Sequence, residues 1–441
     1  MSTEYLGLVM LGVLLIVIFI GFPIAFTLLL LAVGFGYLGM GDRVFRLMVS
    51  QTFGLMQEEV LAAVPLFVLM GFLLERTGLM ERLFHALQLM MGGVRGSLFL
   101  VTLLVATIFA TATGIIGASV TVIGLLSIPV MLKYGYQPRM AAGVVCAGGC
   151  LGILIPPSIM LVLMGPVMGV SVLHLFAGAI IPGLLLAVMH ITYAMVRCYI
   201  NPSLGPPLPL EERAENWQAV VKELFLGFVP AAILMFFALG TILMGMATPT
   251  EAAALGAFGA LVLTVAYGRF TWALLKDAVV STLQTTSMIL FLAVSANIYA
   301  AVFSRLGSGR LVTNWFLEMQ VSPFITLIMM MVLIFLLAWP LEWPAIILIF
   351  VPLLVPVVTA LDINLVWFGI LVAVNLQSAF LSPPVAMAAY YLKGAAPQLE
   401  LKDIYIGMLQ FNVIQNVAVV LVLFFPALAL WLPNLLFGAR W

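Results

Sequence analysis

Long apolar runs separated by short polar intervals are the feature that most limits how this sequence can fold. Residues 6–20 and 414–425, for example, are almost continuously apolar. A helix that crosses a bilayer needs about 20 mainly apolar residues, whereas the strands of a membrane barrel alternate apolar and polar positions. The runs therefore predict an all-α polytopic membrane protein.

Composition supports this class and excludes others. Of 441 residues, 65% are apolar and only 17 are acidic and 17 basic, whereas about a quarter of a soluble domain is charged. Nucleic-acid binding is not expected, because it depends on clustered Lys and Arg side chains that neutralise phosphates. The sequence lacks a G-x-x-x-x-G-K-[ST] loop, and its longest polar interval, residues 197–223, is too short for a nucleotide-binding domain. ATP is therefore not expected to act on this chain.

The apolar runs divide the chain into roughly a dozen or more candidate membrane spans. They cover residues 5–20, 23–40, 55–74, 97–112, 115–132, 140–164, 171–196, 224–246, 250–268, 278–303, 322–339, 344–360, 365–392 and 404–432. Two further segments, 75–93 and 304–320, are amphipathic and predict helices lying along the bilayer surface. Thr248 or Thr250, with Pro249 and Glu251, predicts a capped helix start.

The spacing of prolines indicates an internal repeat. Pro129 precedes Pro156-Pro157 by 27 residues, and Pro356 precedes Pro383-Pro384 by the same number, at a common offset of 227. Each block starts with one amphipathic segment, continues with a pair of apolar runs and ends in a helix broken at Pro-Pro. This order predicts a duplicated unit.

The two pairs of apolar runs, residues 97–132 and 322–360, are predicted to be re-entrant hairpins. Five crossings then separate them, an odd number, so the second repeat is inverted in the membrane. With the N-terminus in the periplasm, twelve of the 17 Lys and Arg residues fall in cytoplasmic segments, which agrees with the positive-inside bias. Both termini are predicted to be periplasmic and residues 201–223 cytoplasmic.

The Pro-Pro breaks are candidate binding sites. A Pro-Pro removes two backbone donors from a helix, and freed backbone at membrane depth is tolerated only beside a cavity or protein packing. Its exposed carbonyls can coordinate a cation, and the next half-helix can face an anion with its N-terminus. Each break can also be a packing kink, but its repetition favours sites.

Polar groups also concentrate at the predicted hairpin tips. Residues 111–119 combine hydroxyl groups with glycines, and residues 339–344 place Glu342 between tryptophans and prolines. Glycines and hydroxyls are ordinary helix-packing residues, and Glu342 can lie near the outer interface or cap a half-helix. An acid at membrane depth is nevertheless usually functional. The candidate substrate-binding residues are Ser119, Ser158, Trp339, Glu342, Trp343, Asn375 and Gln377.

Several motifs occur together and in a fixed order along the chain. They are Ala63-Val64-Pro65-Leu66-Phe67-Val68 with Gly71, Gly135-Tyr136, residues 152–158, residues 247–254, Leu341-Glu342 with Ala345, Pro352 and Pro356, and Asn375 with Ser382-Pro383-Pro384-Val385. Over essentially the whole chain, this combination resembles the large membrane subunit of tripartite ATP-independent periplasmic (TRAP) transporters.

The resemblance implies an elevator-type secondary transporter of the bacterial inner membrane that imports an organic acid with sodium. Its implied partners are a small four-helix membrane subunit and a periplasmic substrate-binding protein. The implied units are N-terminal scaffold helices (1–75), a cytoplasmic surface arm (76–96), a first transport repeat (97–200), scaffold helices with a cytoplasmic linker at 201–223 (201–303), a periplasmic surface arm (304–321) and a second transport repeat (322–441).

The resemblance also implies where sodium ions bind, between each hairpin tip and the adjacent broken helix. Carried over by position, the first site involves Thr113, Gly114, Gly152, Ile155 and Pro157. The second involves the tip near Pro340 to Glu342 together with Ala379 and Ser382. Many family members show Ser-Gly-Ser at the first tip, where this chain has Thr113-Gly114-Ile115. The resemblance implies sodium as the coupling ion, and no other cofactor is expected.

Trp339 and Trp343 suggest an aromatic, weakly polar pocket, which suits a 2-oxo acid or another hydrophobic monocarboxylate. One alternative is a stand-alone ion-coupled symporter or antiporter that works without a binding protein. An enzyme would need a cluster of ionisable groups within the membrane, where only Glu342 qualifies. A channel would need a continuous polar pore, and inverted hairpins favour alternating access instead.

Overall fold

The computed structural model describes residues 3–209, 217–383 and 386–438, without the side chains at 110–113, 217 and 219. Every regular element in these ranges is helical, as predicted. The helices are α1 (Thr3–Ile20), α2 (Ile24–Met40), α3 (Arg43–Met56), α4 (Ala63–Glu75), α5 (Leu79–Met91), α6 (Ser97–Thr113), α7 (Ile116–Lys133), α8 (Pro138–Cys150), α9 (Ile159–Met168), α10 (Val172–Ile200), α11 (Trp217–Met235), α12 (Thr241–Leu243), α13 (Pro249–Ala266), α14 (Trp272–Arg305), α15 (Ser308–Glu318), α16 (Pro323–Leu337), α17 (Trp343–Ala345), α18 (Val351–Ala360), α19 (Leu365–Leu381), α20 (Met387–Ala395), α21 (Leu401–Phe424) and α22 (Ala427–Phe437).

Fewer helices than predicted are long enough to cross a membrane unaided. Within the described part of the chain, seven are apolar and at least 18 residues long, and the bent pair of α3 and the helix ending at Glu75 gives an eighth. Other apolar helices have only 10–17 residues. One reason is that apolar runs such as 140–164 and 365–392 are each split between two shorter helices.

Local signals explain several helix boundaries. Thr248 is the N-cap of α13 and forms a capping box with Glu251, as the sequence predicts. Helices α5 and α15 lie in the two amphipathic segments. In contrast, α3 lies largely in an interval for which the sequence predicts no membrane span, since its apolar residues are interspersed with polar ones.

The order of helices repeats along the chain. Helices α6, α7, α8 and α9 start 226, 227, 227 and 228 residues before α16, α17, α19 and α20, respectively. π-helical turns at Phe236–Gly240 and Ile346–Phe350 connect α11 to α12 and α17 to α18. The second of these makes Trp343–Ala360 one continuous rod of 18 residues. The constant offset agrees with the duplication that the prolines predict.

Two contacts between distant segments mark the opposite ends of α14. The 34 residues of this helix form a rod of about 51 Å. Near its start, the Arg76 guanidinium lies 3.7 Å from the Asp277 carboxylate. Just beyond its end, the Ser308 hydroxyl donates a hydrogen bond of 2.6 Å to the carbonyl of Glu4. The start of the chain and the loop before α5 therefore lie at different ends of the protein.

Helices α6 and α7 form a hairpin whose base lies at the start of α21. The hydroxyls of Ser97 and Tyr136 are 3.2 Å apart, so α6 begins next to the point where α7 ends. Arg139, three residues further on, donates a 2.7 Å hydrogen bond to the Asp403 carboxylate near the first turn of α21. The Tyr136 phenol is buried where the two ends of this hairpin pack together, and burial raises its pKa above the usual value.

Helices α16 to α18 form a second hairpin whose base lies at the opposite end of α21. The rings of Phe324 and Phe424 are 5.3 Å apart. Trp367, which follows α18 closely, donates a 3.0 Å hydrogen bond to the Val422 carbonyl. The two hairpins therefore extend from opposite ends of the protein, and their re-entry from the two membrane faces stays a prediction.

The segment after α10 is attached to the base of the first hairpin. The amide of Gly96 donates to the carbonyl of Gly205, and the amide of Leu208 donates to the carbonyl of Gly92, each at 2.8 Å. The first part of the predicted linker 201–223 is thus held against the first repeat. Residues 210–216 of that linker lie outside the described residues.

Helices α8 and α21 pack closely through facing glycines. A Cβ atom added at Gly143 would lie 2.5 Å from the carbonyl oxygen of Gly407, and one added at Gly407 would overlap the carbonyl oxygen of Arg139. Small residues at such crossings let two backbones approach and make van der Waals contact. This contact joins α8, which precedes the first break, to the long helix between the two hairpin bases.

We expect Gly407→Ala to destabilise the protein by about 1–3 kcal/mol, as overpacking commonly does. Gly394→Ala is the matched control, because a Cβ there meets nothing within 4 Å. Thermal denaturation of both variants in detergent provides the measurement. An unchanged melting temperature for Gly407→Ala would show that the two helices do not pack as described.

Candidate functional site

A cavity of about 260 Å³ lies where the two hairpin tips and the two helix breaks meet. One wall comes from the long helix α14, through Thr285, Met288 and Ile289. The remaining lining residues are Gly114, Ile115, Ile116, Gly117, Ile153, Ile159, Glu342, Trp343, Pro344, Phe380, Met387 and Tyr391. The cavity is therefore formed by segments that are far apart in the sequence.

The first tip and the first break are shaped by local backbone geometry. Gly114 has φ of +61°, in the left-handed region that favours glycine, and the next helix starts two residues later. After α8, a 3-10 turn at Leu151–Ile153 and a cis Pro156-Pro157 peptide separate α8 from α9. Ser158 caps α9: its hydroxyl donates to the carbonyl of Ile153 and accepts from the amide of Leu161.

Four helices begin at this cavity. The first residues of α7, α9, α17 and α20 all line it: Ile116, Ile159, Trp343 and Met387. The first turn of a helix has amide groups without intrahelical partners, and the helix dipole places positive potential there. The arrangement therefore favours an anion, and no single helix would supply this field alone.

Glu342 is the one acidic residue among the lining residues, which all lie within the described ranges and include no Lys, Arg or His. Its side chain is exposed and borders the cavity. It stands at the N-cap position of α17 without making a side-chain cap hydrogen bond. The alternative that Glu342 caps this half-helix is therefore not what the structure shows.

Buried polar side chains stabilise the helix before the second break. The amide of Asn375 donates a 2.7 Å hydrogen bond to the carbonyl of Met331 in the second hairpin. The Ser378 hydroxyl donates to the Asn375 carbonyl, and the Ser382 hydroxyl donates to the Ser378 carbonyl. These bonds attach the second break to the second hairpin.

Helix α21 contributes amide groups from the other side. Asn412 donates a 2.9 Å hydrogen bond to the Ser382 hydroxyl, and Gln415 donates one of the same length to the carbonyl of Val374. Gln377 is fully buried, and both its amide atoms lack a hydrogen-bond partner among the described residues. An amide buried in this way is costly, so Gln377 marks a place where a bound water or ion would be stabilised.

The structure brings some of the predicted site residues to the cavity and leaves others behind its walls. Gly114, Glu342 and Trp343 line it. The buried residues that are not among the lining residues are Ser119, Gly152, Ile155, Pro157, Ser158, Asn375, Gln377, Ala379 and Ser382. Trp339 is 37% exposed, and its ring lies 5.7 Å from that of Phe335. Pro340 is half-buried within the tip, and the Thr113 side chain lies outside the described residues.

Sequence reasoning missed several residues of the site. Tyr391 and Met288 line the cavity, but neither is among the predicted site residues. Asn412 and Gln415 could have been predicted from the sequence. Amide side chains are rare within an apolar run, and these two lie three residues apart, on one helix face.

The sequence matches, over residues 11–428, the family described as the DctM component of the tripartite ATP-independent periplasmic transporters. The chain belongs to this family. It is thus a TRAP large permease, a multi-pass protein of the bacterial inner membrane, and its relatives are permeases rather than enzymes.

Three TRAP large permeases are similar to this chain over most of their lengths. The sialic acid large permease SiaM of Vibrio cholerae is 31% identical over 96% of this chain and 97% of its own. The C4-dicarboxylate large permease DctM of Pseudomonas aeruginosa is 30% identical, over 88% and 90%. The 2,3-diketo-L-gulonate large permease YiaN of Escherichia coli is 30% identical, over 96% and 97%.

A solved structure shares the fold of this TRAP permease. The YdaH transporter of Alcanivorax borkumensis superposes with a TM-score of 0.66 over 93% of this chain and 98% of the other, at 16% sequence identity. At that identity the likeness concerns the fold alone. The path of the helices is thus one that a transporter is known to adopt.

If the cavity is where this TRAP permease holds its cargo, filling it should block uptake. We expect Ile159→Trp to lower uptake roughly tenfold or more, equivalent to losing about 1.4 kcal/mol of binding. Leu125→Trp is the matched control, because Leu125 is 57% exposed on α7. Uptake by vesicles containing equal amounts of each protein gives the comparison, and equal uptake by both variants would contradict a role for the cavity.

Proposed function

We propose that the chain is the permease of a sodium-coupled importer of an organic acid, and that the 260 Å³ cavity is its substrate site. The convergence of four helix N-termini on this cavity carries the proposal. Each N-terminus is equivalent to about half a positive charge. Together they stabilise a carboxylate without a basic side chain.

The relatives agree with an acidic substrate. Their names specify sialic acid, C4-dicarboxylates and 2,3-diketo-L-gulonate, which are all acids. The walls of this cavity are mostly apolar and include the rings of Trp343, Phe380 and Tyr391. Ligand pockets usually enclose about 300–1,000 Å³, so a small acid fits best. We therefore favour a 2-oxo acid or another hydrophobic monocarboxylate.

Sodium is the proposed coupling ion, bound between each tip and the adjacent break. Sodium is a hard cation that oxygen ligands suit, and the breaks interrupt helices whose carbonyl groups then need partners. The first site would use Thr113, Gly114, Gly152, Ile155 and Pro157. The second would use Pro340, Ala379 and Ser382. The Ser382 hydroxyl oxygen accepts one hydrogen bond, from Asn412, which leaves a lone pair for an ion.

An elevator movement is supported by the face that α14 presents to the two repeats. Thr285 and Ile289 line the substrate cavity, and Ala293 and Asn297, at the next two steps of four residues, line a second cavity of about 410 Å³. Ile289 and Asn297 lie about 12 Å apart along the helix axis. One continuous face of α14 therefore lines two cavities at different depths. This is expected of a fixed helix along which a transport domain slides.

The proposed transporter needs two partners, a small four-helix membrane subunit and a periplasmic substrate-binding protein. The description of the family as tripartite supports this assembly. We place the start of α1 and the end of α22 at the periplasmic face. The opposite end of the protein, which contains Arg76, then faces the cytoplasm and holds most of the basic residues, in agreement with the positive-inside bias. Import would therefore deliver the acid to the Arg76 end.

Sodium coupling can be tested at Ser382. We expect Ser382→Ala to raise the sodium concentration for half-maximal uptake roughly tenfold, equivalent to about 1.4 kcal/mol. Ser127→Ala is the matched control, since Ser127 is also buried and its hydroxyl also donates to a carbonyl four residues earlier. Full uptake by the wild-type protein in sodium-free buffer would rule out sodium as the coupling ion.

Sidedness can be tested by labelling single cysteines in intact cells. Arg310 and Lys276 are both exposed, and they lie near opposite ends of α14. We expect a membrane-impermeant thiol reagent to label Arg310→Cys and to leave Lys276→Cys unlabelled until the cells are opened. The reverse pattern would show that the termini face the cytoplasm.

A further inference from the structure

A notch of about 520 Å³ lies at the end of the protein where the chain starts, away from the substrate cavity. Its walls come from α1, α15 and α16. The residues that line it are Tyr5, Leu8, Leu311, Val312, Asn314, Trp315, Phe316, Glu318 and Leu333. None of them lines the cavity proposed to hold the substrate, so the notch needs an explanation of its own.

Two helices that diverge from one corner form the notch. Ser322, the N-cap of α16, marks this corner, and Leu311 and Leu333 lie at equal chain distances before and after it. From there, α15 packs on α18 and α16 packs on α19. Helix α1 is attached at the start of α15 through the hydrogen bond from Ser308 to the Glu4 carbonyl. The backbones of three helices therefore set the shape of the notch.

The mouth of the notch opens onto an apolar surface. Val332 and Leu336 are exposed on α16, and Leu317 is exposed on α15. In a multi-pass membrane protein, a continuous exposed apolar surface of this kind faces lipid. Tyr5 and Trp315 are both 57% exposed, and such rings are enriched at the level of the lipid head groups. The surroundings therefore point to a lipid with its head group at this rim.

One row of polar side chains follows α15 at the rim. Arg310, Asn314 and Glu318 are four residues apart in turn, so they share one face of the helix. All three are exposed, and Asn314 and Glu318 line the notch itself. Neither Arg310 nor Glu318 has an ion-pair partner within the described part of the chain. The row thus offers a cation and a carboxylate to a ligand that carries both charges.

The head group must decide which lipid the notch holds. Lipid hydrocarbon is as apolar as leucine, so an acyl chain between Leu311 and Leu333 gains only packing and does not distinguish one phospholipid from another. A phosphate suits the guanidinium of Arg310 and the amide of Asn314, and a primary ammonium donates hydrogen bonds that the Glu318 carboxylate accepts. Phosphatidylethanolamine carries both groups, whereas phosphatidylglycerol has no ammonium group.

We propose that the notch is a phospholipid site selective for phosphatidylethanolamine, in which Glu318 binds the ammonium group of the lipid. The acyl chain lies against Leu333 of the second hairpin on one side and against Leu8 of α1 on the other. The bound lipid therefore joins the start of the chain to the second repeat. The site is independent of the acid and the ion that the protein transports.

Selectivity can be measured by native mass spectrometry of the purified full chain, titrated with phosphatidylethanolamine or phosphatidylglycerol that carry identical acyl chains. We expect the wild-type protein to bind its first phosphatidylethanolamine at least about tenfold more tightly, because hydrogen bonds between charged groups are the strong ones. Glu318→Gln should reduce this preference to about twofold or less, and Glu318→Lys should reverse it. Asp42→Asn is the matched control, since Asp42 is an exposed acid outside the notch.

The location is tested by filling the notch. Leu311→Trp should weaken binding of the first molecule of either lipid roughly tenfold, whereas Leu317→Trp, on the same helix but outside the notch, should not. Equal binding of both lipids by wild type, or a preference that survives Glu318→Lys, would show that Glu318 does not recognise the head group. Unchanged binding by Leu311→Trp would place the lipid elsewhere. Loss of the first lipid when the proposed small membrane subunit is present would show that this subunit, rather than lipid, covers the notch.

Discussion

Unpaired amide groups at helix starts in the protein interior are the constraint on which the rest of this structure depends. A helix that begins at membrane depth leaves donors that neither water nor lipid can satisfy. Here the first residues of four helices line one cavity, and at α9 the Ser158 hydroxyl accepts a hydrogen bond from one of the first amides. In the function proposed above, the carboxylate of a bound acid would offset the cost of the other amides.

The elements that position the breaks are themselves rigid. Hydrogen bonds from Asn375, Ser382 and the amides of α21 tie the second break to both a hairpin and a long helix. The glycine contact between α8 and α21 ties the first break to the same helix. Helix α21 is therefore the common support of both repeats, although it carries none of the residues that line the cavity.

Much of the fold could be predicted from sequence because its signals are local. Apolar length identifies helices, and Pro-Pro at a fixed offset identifies both the breaks and the repeat. An amphipathic helix is not identified by apolar length, so α3 is not among the predicted elements. Which side chains share a cavity depends on contacts between distant segments. For that reason Glu342 and Trp343 were found, whereas Met288 and Tyr391 were not.

The attachment of residues 201–208 to the first hairpin also sets a mechanical limit. Leu208 is bonded to the hairpin base at Gly92, and α11, on the other side of the linker, begins at Trp217. Nine residues of extended chain reach at most about 30–32 Å. This tether therefore fixes the greatest possible distance between the base of the first hairpin and the start of α11. If the protein works by the elevator movement proposed above, shortening the tether by a few residues would limit that movement without changing any residue of the cavity.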